Sequence, residues 1–278
     1  MLTKMFYIMF TSFKKQCAYK ISVLMNICSS IIFIAIMYYL WTAIYSSSGE
    51  FSVLALNTTI SYVVIITLIN KTIGKNTEES IGSRVVNGNI ILDLSKPISL
   101  TLYVFCEQTG KMIFDFVFST LPILIILNFV LSIKIAGDLI SIFAFLCSII
   151  FSYFLVFLFE FLIGLLSFFN NQIFGLTLLK SSIVGILAGL TVPLEFYPAI
   201  LKEIVVNLPF QAMYYIPVAI CLDLSPNDSW IQELLCNFGA SNNIACLLAQ
   251  QVIWILIFSI FVLIGWHCAK RRLVVQGG

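Results

Sequence analysis

Glu160 and Lys180 are the two ionisable side chains set deep inside long apolar stretches of this chain. A carboxylate and an ammonium at such positions have two roles open to them. They neutralise each other and lock a helical hairpin, or they present a polar point to a translocation path or a partner subunit. The turn between their stretches centres on Asn170-Asn171, with Glu160 about ten residues before it and Lys180 about ten after. In an antiparallel hairpin both reach a similar depth, roughly 15 Å from the turn at 1.5 Å per residue. That is near mid-bilayer, where an unpaired charge costs at least about 2.5–3.5 kcal/mol on insertion scales. Pairing offsets part of this cost, and a buried pair alone is weak support for function. If the two pair, Lys180→Ala alone damages assembly more than Glu160→Gln and Lys180→Gln together.

Other residues carry weaker signals. Ser181, Gly185 and Gly189 form a ladder of small residues at four-residue spacing, which lets helix backbones approach closely. Packing within the chain and a subunit interface both remain open for it. Glu107, Lys111 and Asp115 make a charged strip at i, i+4 and i+8, in which Asp115 reads as the partner of Lys111. His267, the only histidine, stands beside Trp266 and reads as an interfacial anchor. The eight cysteines show no C-x-x-C spacing, so no metal site is expected. Cys221 and Cys236 fall in one outer segment and could pair in an oxidising compartment. Asn57-Thr58-Thr59 and Asn227-Asp228-Ser229 fit a glycosylation sequon, a pattern frequent by chance.

No phosphate-binding loop occurs: Gly74-Lys75 and Gly110-Lys111 lack its spacing and its Ser/Thr. One histidine leaves little room for a Ser/His/Asp site, and H-E-x-x-H is missing. A catalytic centre is therefore not expected. Neither is nucleic-acid binding, which needs a basic face with aromatics on a soluble domain.

The elements that hold these residues follow from composition. The 278 residues are 60% hydrophobic and 10% charged, against roughly 25% charged in soluble domains. Lipid must be the solvent for so much apolar surface. Of the fifteen Lys and Arg residues, twelve fall in three patches. These are Lys4, Lys14, Lys15 and Lys20; then Lys71, Lys75, Arg84, Lys96 and Lys111; then Lys270, Arg271 and Arg272. Two apolar runs separate the first pair of patches and four the second pair, so all three lie on one side of a bilayer, the cytoplasmic one.

The expectation is an all-α membrane protein forming one domain over residues 1–278, with cytoplasmic termini and six transmembrane helices. The spans fall near Ile21–Tyr45, Phe51–Asn70, Thr101–Ile133, Leu139–Phe168, Ile173–Val192 and Ala245–Cys268. Residues 1–20 are amphipathic, with Met5, Phe6, Met9, Phe10 and Phe13 near one face, and are expected to lie in the interface rather than to be cleaved as a leader. Residues 71–100 form the largest cytoplasmic loop. In it Glu78, Glu79, Ile81 and Arg84 suggest a short surface helix that breaks near Gly88, before Lys96-Pro97 returns to the membrane. Residues 193–243 form an outer segment with Pro193, Pro198, Pro209, Pro217 and Pro226. Phe196–Val206 and Phe210–Ile220 read as two short helices dipping into the outer leaflet, bent at Leu208-Pro209. Outward segments carry Glu50, Asp138, Glu195, Glu203, Asp223, Asp228 and Glu233 against only Lys134 and Lys202. The two halves match poorly, which counts against an inverted-repeat carrier.

This order of elements resembles the permease subunits of type 2 ABC exporters. Ile81-Gly82-Ser83-Arg84 through Ile90, followed by Leu94-Ser95-Lys96-Pro97, is similar to that family's cytoplasmic loop. Pro193-Leu194, Phe196, Pro198, Leu208-Pro209-Phe210 and Tyr215-x-Pro217 resemble its outer segment, and Arg271-Arg272 to Gln276-Gly277-Gly278 its basic tail. The resemblance covers essentially the whole chain and points to the branch whose ATPase is a separate chain. It implies two permease subunits, identical or related, above two ATPase subunits that bind the ATP and Mg. Residues 78–89 become a coupling helix, residues 1–20 an elbow, and the outer hairpin an exit gate. No cofactor belongs to this chain on that reading.

Two rivals stand beside it. An ion-driven secondary transporter would use Glu160 as its titrating group, although a neighbouring Lys180 favours the charged carboxylate. A non-transporting membrane scaffold would show no flux at all.

Overall fold

The computed structural model describes residues 2–47, 54–131, 138–169, 173–224 and 243–271. The Asn170-Asn171 turn, Glu50, Lys134, Pro226, Asp228, Glu233, Cys236 and the tail from Arg272 lie outside the described residues.

The described residues are helical, with no strand among them. Helix α1 covers Leu2–Cys17, α2 Lys20–Ser47 and α3 Leu56–Ile73. Helix α4 covers Thr77–Val86, α5 Ile90–Leu94 and α6 Leu100–Asp115. A π turn, Phe116–Thr120, carries α6 into α7, Leu121–Leu131. Helix α8 is Leu139–Leu165, α9 Ile173–Leu187, α10 Ala199–Val206, α11 Pro209–Leu222 and α12 Asn243–Lys270.

Among the described residues, five helical stretches are long and apolar enough to cross a membrane: Lys20–Ser47, Leu56–Val86, Leu100–Leu127, Leu139–Phe168 and Ile244–Lys270. A sixth is reached only by counting α10 and α11, which are bent by 97°, as one span. The expected fifth span, Ile173–Val192, holds only the 15-residue α9, about 22 Å of helix. Its apolar sequence runs on, but Gly189 takes φ +71°. Pro193 then starts a short 3-10 turn over Leu194–Phe196.

The core lies where α3, α8, α11 and α12 meet. Helix α11 is buried almost throughout, at Pro209 and from Gln211 to Cys221. Burial on all sides suits its near-continuous apolar sequence. One polar seam ties the centre together. Ser148 donates to Gln251 Oε1 at 2.9 Å, while Gln251 Nε2 donates to Ser152 Oγ at 3.0 Å and to the Ala212 carbonyl at 2.9 Å. Polar side chains that satisfy one another between apolar helices hold them in register.

The corner between α10 and α11 supplies its own acceptor partners. Asn207 Nδ2 donates to the Glu203 carbonyl at 2.8 Å, and Gln211 Nε2 donates to that of Val206. The backbone N–H groups of Asn207 and Leu208 donate to Ile204 and Val205. All four of the carbonyls orphaned at the end of α10 are thereby answered. Pro209 at the first position of α11 has no N–H to lose.

Helix α1 packs lengthwise on α6. Ser12 donates to the Glu107 carbonyl at 2.7 Å, and Phe13 meets Phe114 edge-on at 5.5 Å. Leu2, Phe6 and Phe10 face outward. The close approach needs a glycine: a Cβ at Gly110 lies 2.3 Å from the Met9 carbonyl oxygen. Backbone cannot yield there as a side-chain tip can. Gly110→Val is expected to lift α1 from α6 at about 1–3 kcal/mol or more. Trypsin cleavage after Lys14 and Lys15 should quicken in detergent; cleavage at the wild-type rate counts against this packing.

Candidate functional site

Asn76, in the left-handed region at φ 50°, breaks the chain between α3 and α4. Glu78 and Glu79 in the first turn of α4 and Arg84 in its last suit the helix dipole. Gly88 at φ +73° ends the segment, a conformation that favours glycine. The helix is not confined to the surface, as its charges suggested. Thr77, Glu78, Ile81 and Gly82 form a buried face, while Glu79, Ser83, Val86 and Asn87 remain exposed. Two glycines set how closely it sits. A Cβ on Gly82 falls 1.9 Å from Ile173 Cδ1 on α9, and one on Gly164 of α8 falls 2.8 Å from Ile81 Cδ1.

Glu160 and Lys180 meet at 3.0 Å, and a third charge joins them. Lys180 Nζ lies 2.7 Å from Glu78 Oε1. Glu160 Oε2 also accepts the Thr77 backbone N–H at 2.9 Å, at the start of α4, and Asn76 Oδ1 accepts from Lys180 at 3.4 Å. Glu78 is fully buried and Lys180 is 8% exposed. The Glu78 contact is an ion pair by distance, since neither of its oxygens has a well-aligned hydrogen bond. The expected two-residue pair is thus a cluster that joins α8 and α9 to the first turn of the 71–100 loop. Counting Glu78, Glu160 and Lys180, it holds two acids against one base.

A second cluster sits on the same loop. Arg84 Nη1 donates to Asp93 Oδ2 at 2.9 Å, and Nη2 donates to Glu107 on α6. Lys96 Nζ donates to Asp93 Oδ1 at 2.6 Å and lies 3.7 Å from the centre of the Tyr103 ring. Burial pulls the Lys96 ammonium down, but the hydrogen bonds to Asp93 and Tyr103 outweigh it and raise the group above its usual value. Arg84 and Lys96 are therefore held in place; Glu79 and Gly88 stand clear of both clusters, and Pro97 follows Lys96 at the exposed end.

Asp115 pairs with Lys75, not with Lys111. The i, i+4 spacing within α6 is outcompeted by a cation arriving from the end of α3. Lys111 makes no ion pair among the described residues.

The small-residue ladder divides. Ser181 is exposed and donates back to Thr177 of its own helix at 2.6 Å. A Cβ on Gly185 would meet nothing within 4 Å. Among the described residues, neither is in close contact with another helix through its side-chain position. Gly189 is buried, and its carbonyl accepts the Tyr62 hydroxyl at 2.9 Å. In the outer segment Pro193 precedes the 3-10 turn and Pro198 caps α10. Phe210 meets Phe159 edge-on at 5.5 Å, and Pro217 lies inside α11. Tyr215 donates to Glu195 Oε1 at 2.6 Å, closing the hairpin onto that turn.

Sequence reasoning missed Glu78 as a partner of Lys180, together with Asn76, Thr77, Asp93 and Tyr103. The signal for Glu78 was arithmetic: Lys180 has two acids within reach only if the loop helix folds back.

Such an all-helical bundle, with ion clusters fastening an internal loop to its apolar helices, defines a multi-pass membrane protein. Residues 24–277 match the model of the ABC-2 family transporter proteins, and the chain belongs to that family. It is a permease component, and the family works with ATPase partners in general. No curated protein and no solved structure matches the chain.

Proposed function

We propose that this chain forms half of the membrane pathway of an ATP-driven exporter. A second copy or a related chain supplies the other half, and separate ATPase subunits drive both through the 71–100 loop. The observation that carries this reading is the two-sided character of α4. Its inner face is tied to α8 and α9 by Glu78, Glu160 and Lys180. Its outer face, with Val86 and the neighbouring Ile91, Leu92 and Leu94, is exposed. A groove of ≈ 680 Å³ runs between that face and the first turns of α9. A push on the free side moves α8 and α9 directly, as a coupling helix requires.

The remaining assignments follow from the same architecture. The flank of α9 with the exposed Phe174, Leu178 and Ser181 and the half-buried Gly185 suits the contact with the second permease. Helix α1 serves as the elbow, and the bent α10–α11 pair as the exit gate. The three basic patches support a cytoplasmic position for both termini. ATP and Mg bind on the ATPase.

Gly88→Trp tests the loop. Gly88 has open space around it, so the substitution adds bulk and backbone strain at the docking corner without touching the bundle. The variant should insert and purify, yet couple to its ATPase about tenfold less well, the scale of a coupling free energy. Wild-type ATP-driven flux in this variant removes the loop from the mechanism. Flux that follows an ion gradient instead of ATP returns the weight to Glu160 as a titrating group.

A further inference from the structure

A cavity of ≈ 330 Å³ lies where the ends of α1 and α2 meet the end of α3 and the π turn. Lys71, Lys75, Lys111, Asp115, Ser119 and Asn26 supply polar groups to its wall. Asp115 is answered by Lys75. Lys71 and Lys111 make no ion pair among the described residues; Glu107 and Asp115 attract Lys111 from a distance, while Arg84 and Lys15 repel it. The wall therefore carries three ammonium groups against one carboxylate, and that carboxylate is already paired with Lys75.

Ser119 adds an independent observation. Its hydroxyl is buried and has no hydrogen-bond partner. Other buried helical hydroxyls here donate to the carbonyl one turn back: Thr67 to Val63 at 2.7 Å and Thr72 to Leu68 at 2.7 Å. Buried hydroxyls left unpaired are costly and uncommon. Ser119 also lies in the π turn, a rare conformation found mostly at functional positions. Ile123 lines the cavity on the α7 side, so it has a polar and an apolar end.

We propose that this cavity binds a phosphate group through Lys71, Lys111 and Ser119. Two ammoniums and one hydroxyl match the several acceptor oxygens and negative charge of a phosphate. The group belongs either to the headgroup of an anionic lipid entering beside Ile123 or to a free phosphate species. The site stands at the Lys-rich end of the bundle, where anionic headgroups gather.

The test reads binding alone, with no ATPase and no transport, so its failure is distinct from failure of the coupling mechanism. The full chain is purified in mild detergent with equal phosphatidylglycerol and phosphatidylcholine, and retained lipid is measured by mass spectrometry. A parallel arm titrates inorganic phosphate and follows Tm. Selective retention of phosphatidylglycerol is expected, falling about fivefold for each of Lys71→Met and Lys111→Met. Ser119→Ala should also lower it while keeping the wild-type Tm in phosphatidylcholine, and decides the matter if a lysine variant fails to fold. Lys4→Met, outside the cavity, should retain lipid as wild type does. Phosphatidylglycerol that phosphate does not displace identifies a lipid site; stabilisation and displacement by millimolar phosphate identify a soluble ligand. Equal retention of both lipids with no phosphate effect overturns the proposal, as does a fall for Lys4→Met equal to that for Lys111→Met.

Discussion

Lys180→Met is expected to lower the detergent Tm by about 10 °C and to shift much of the protein into aggregate on size exclusion. Lys180 stands between two buried carboxylates, 2.7 Å from Glu78 and 3.0 Å from Glu160. Removing one partner of a buried ion pair costs about 3–5 kcal/mol, because the remaining charge has no water to turn to. Here two acids are stranded. The cluster therefore makes a sharper demand than a simple pair does. Adding Glu160→Gln to Lys180→Met still leaves the Glu78 carboxyl fully buried without its cation. Adding Glu78→Gln as well removes the last stranded acid and should recover at least half of the lost Tm. The three-body reading fails if Lys180→Met melts as wild type does, or if the double variant already matches the triple.

Gly82→Ala should separate α4 from α9, and Ile173→Ala should undo the damage. The added Cβ falls 1.9 Å from Cδ1, 2.5 Å from Cγ1 and 3.0 Å from Cγ2 of Ile173. These are the three atoms that an alanine at position 173 lacks. Overpacking of this kind costs about 1–3 kcal/mol, and contacting residues show a coupling of similar size in a double-mutant cycle. Tm in detergent and ATP hydrolysis by the assembled complex should fall together in Gly82→Ala and rise together in the double variant. Additive losses would mean that α4 and α9 do not bear on each other at this point.

Much of the helical layout was legible because its cues are local. Glycine, proline and apolar length mark the break after α4 at Gly88, the corner at Leu208-Pro209 and the long helices. The meeting of Glu160 and Lys180 could also be read, since a hairpin converts equal sequence distance into equal depth. What failed depended on contacts between distant segments. The acids and Arg84 of α4 read as a solvated face, yet Glu78 turns into the bundle and Arg84 into a network with Asp93 and Glu107. No local pattern distinguishes a charge that meets water from one that meets a lysine 102 residues later. The same limit applies to Asp115. Spacing within one helix proposed Lys111, while the fold delivered Lys75 from another. The shortness of α9 was hidden because its apolar sequence outlasts its helix, which ends where Gly189 takes a positive φ.

The corner after α10 has a consequence for where the bundle can end. A helix that stops inside hydrocarbon ordinarily exposes bare carbonyls, each costing several kcal/mol without water. At Glu203, Ile204, Val205 and Val206 those acceptors are all occupied by Asn207, Leu208 and Gln211. On its acceptor side the corner needs no water, so its height against the bilayer is left to the side chains of α10, the charged Lys202 and Glu203 among them. Ile200 and Ile204 on the exposed flank of α10 favour hydrocarbon while the exposed Glu203 beside them favours water, and the backbone carbonyls stay satisfied on either side of that boundary.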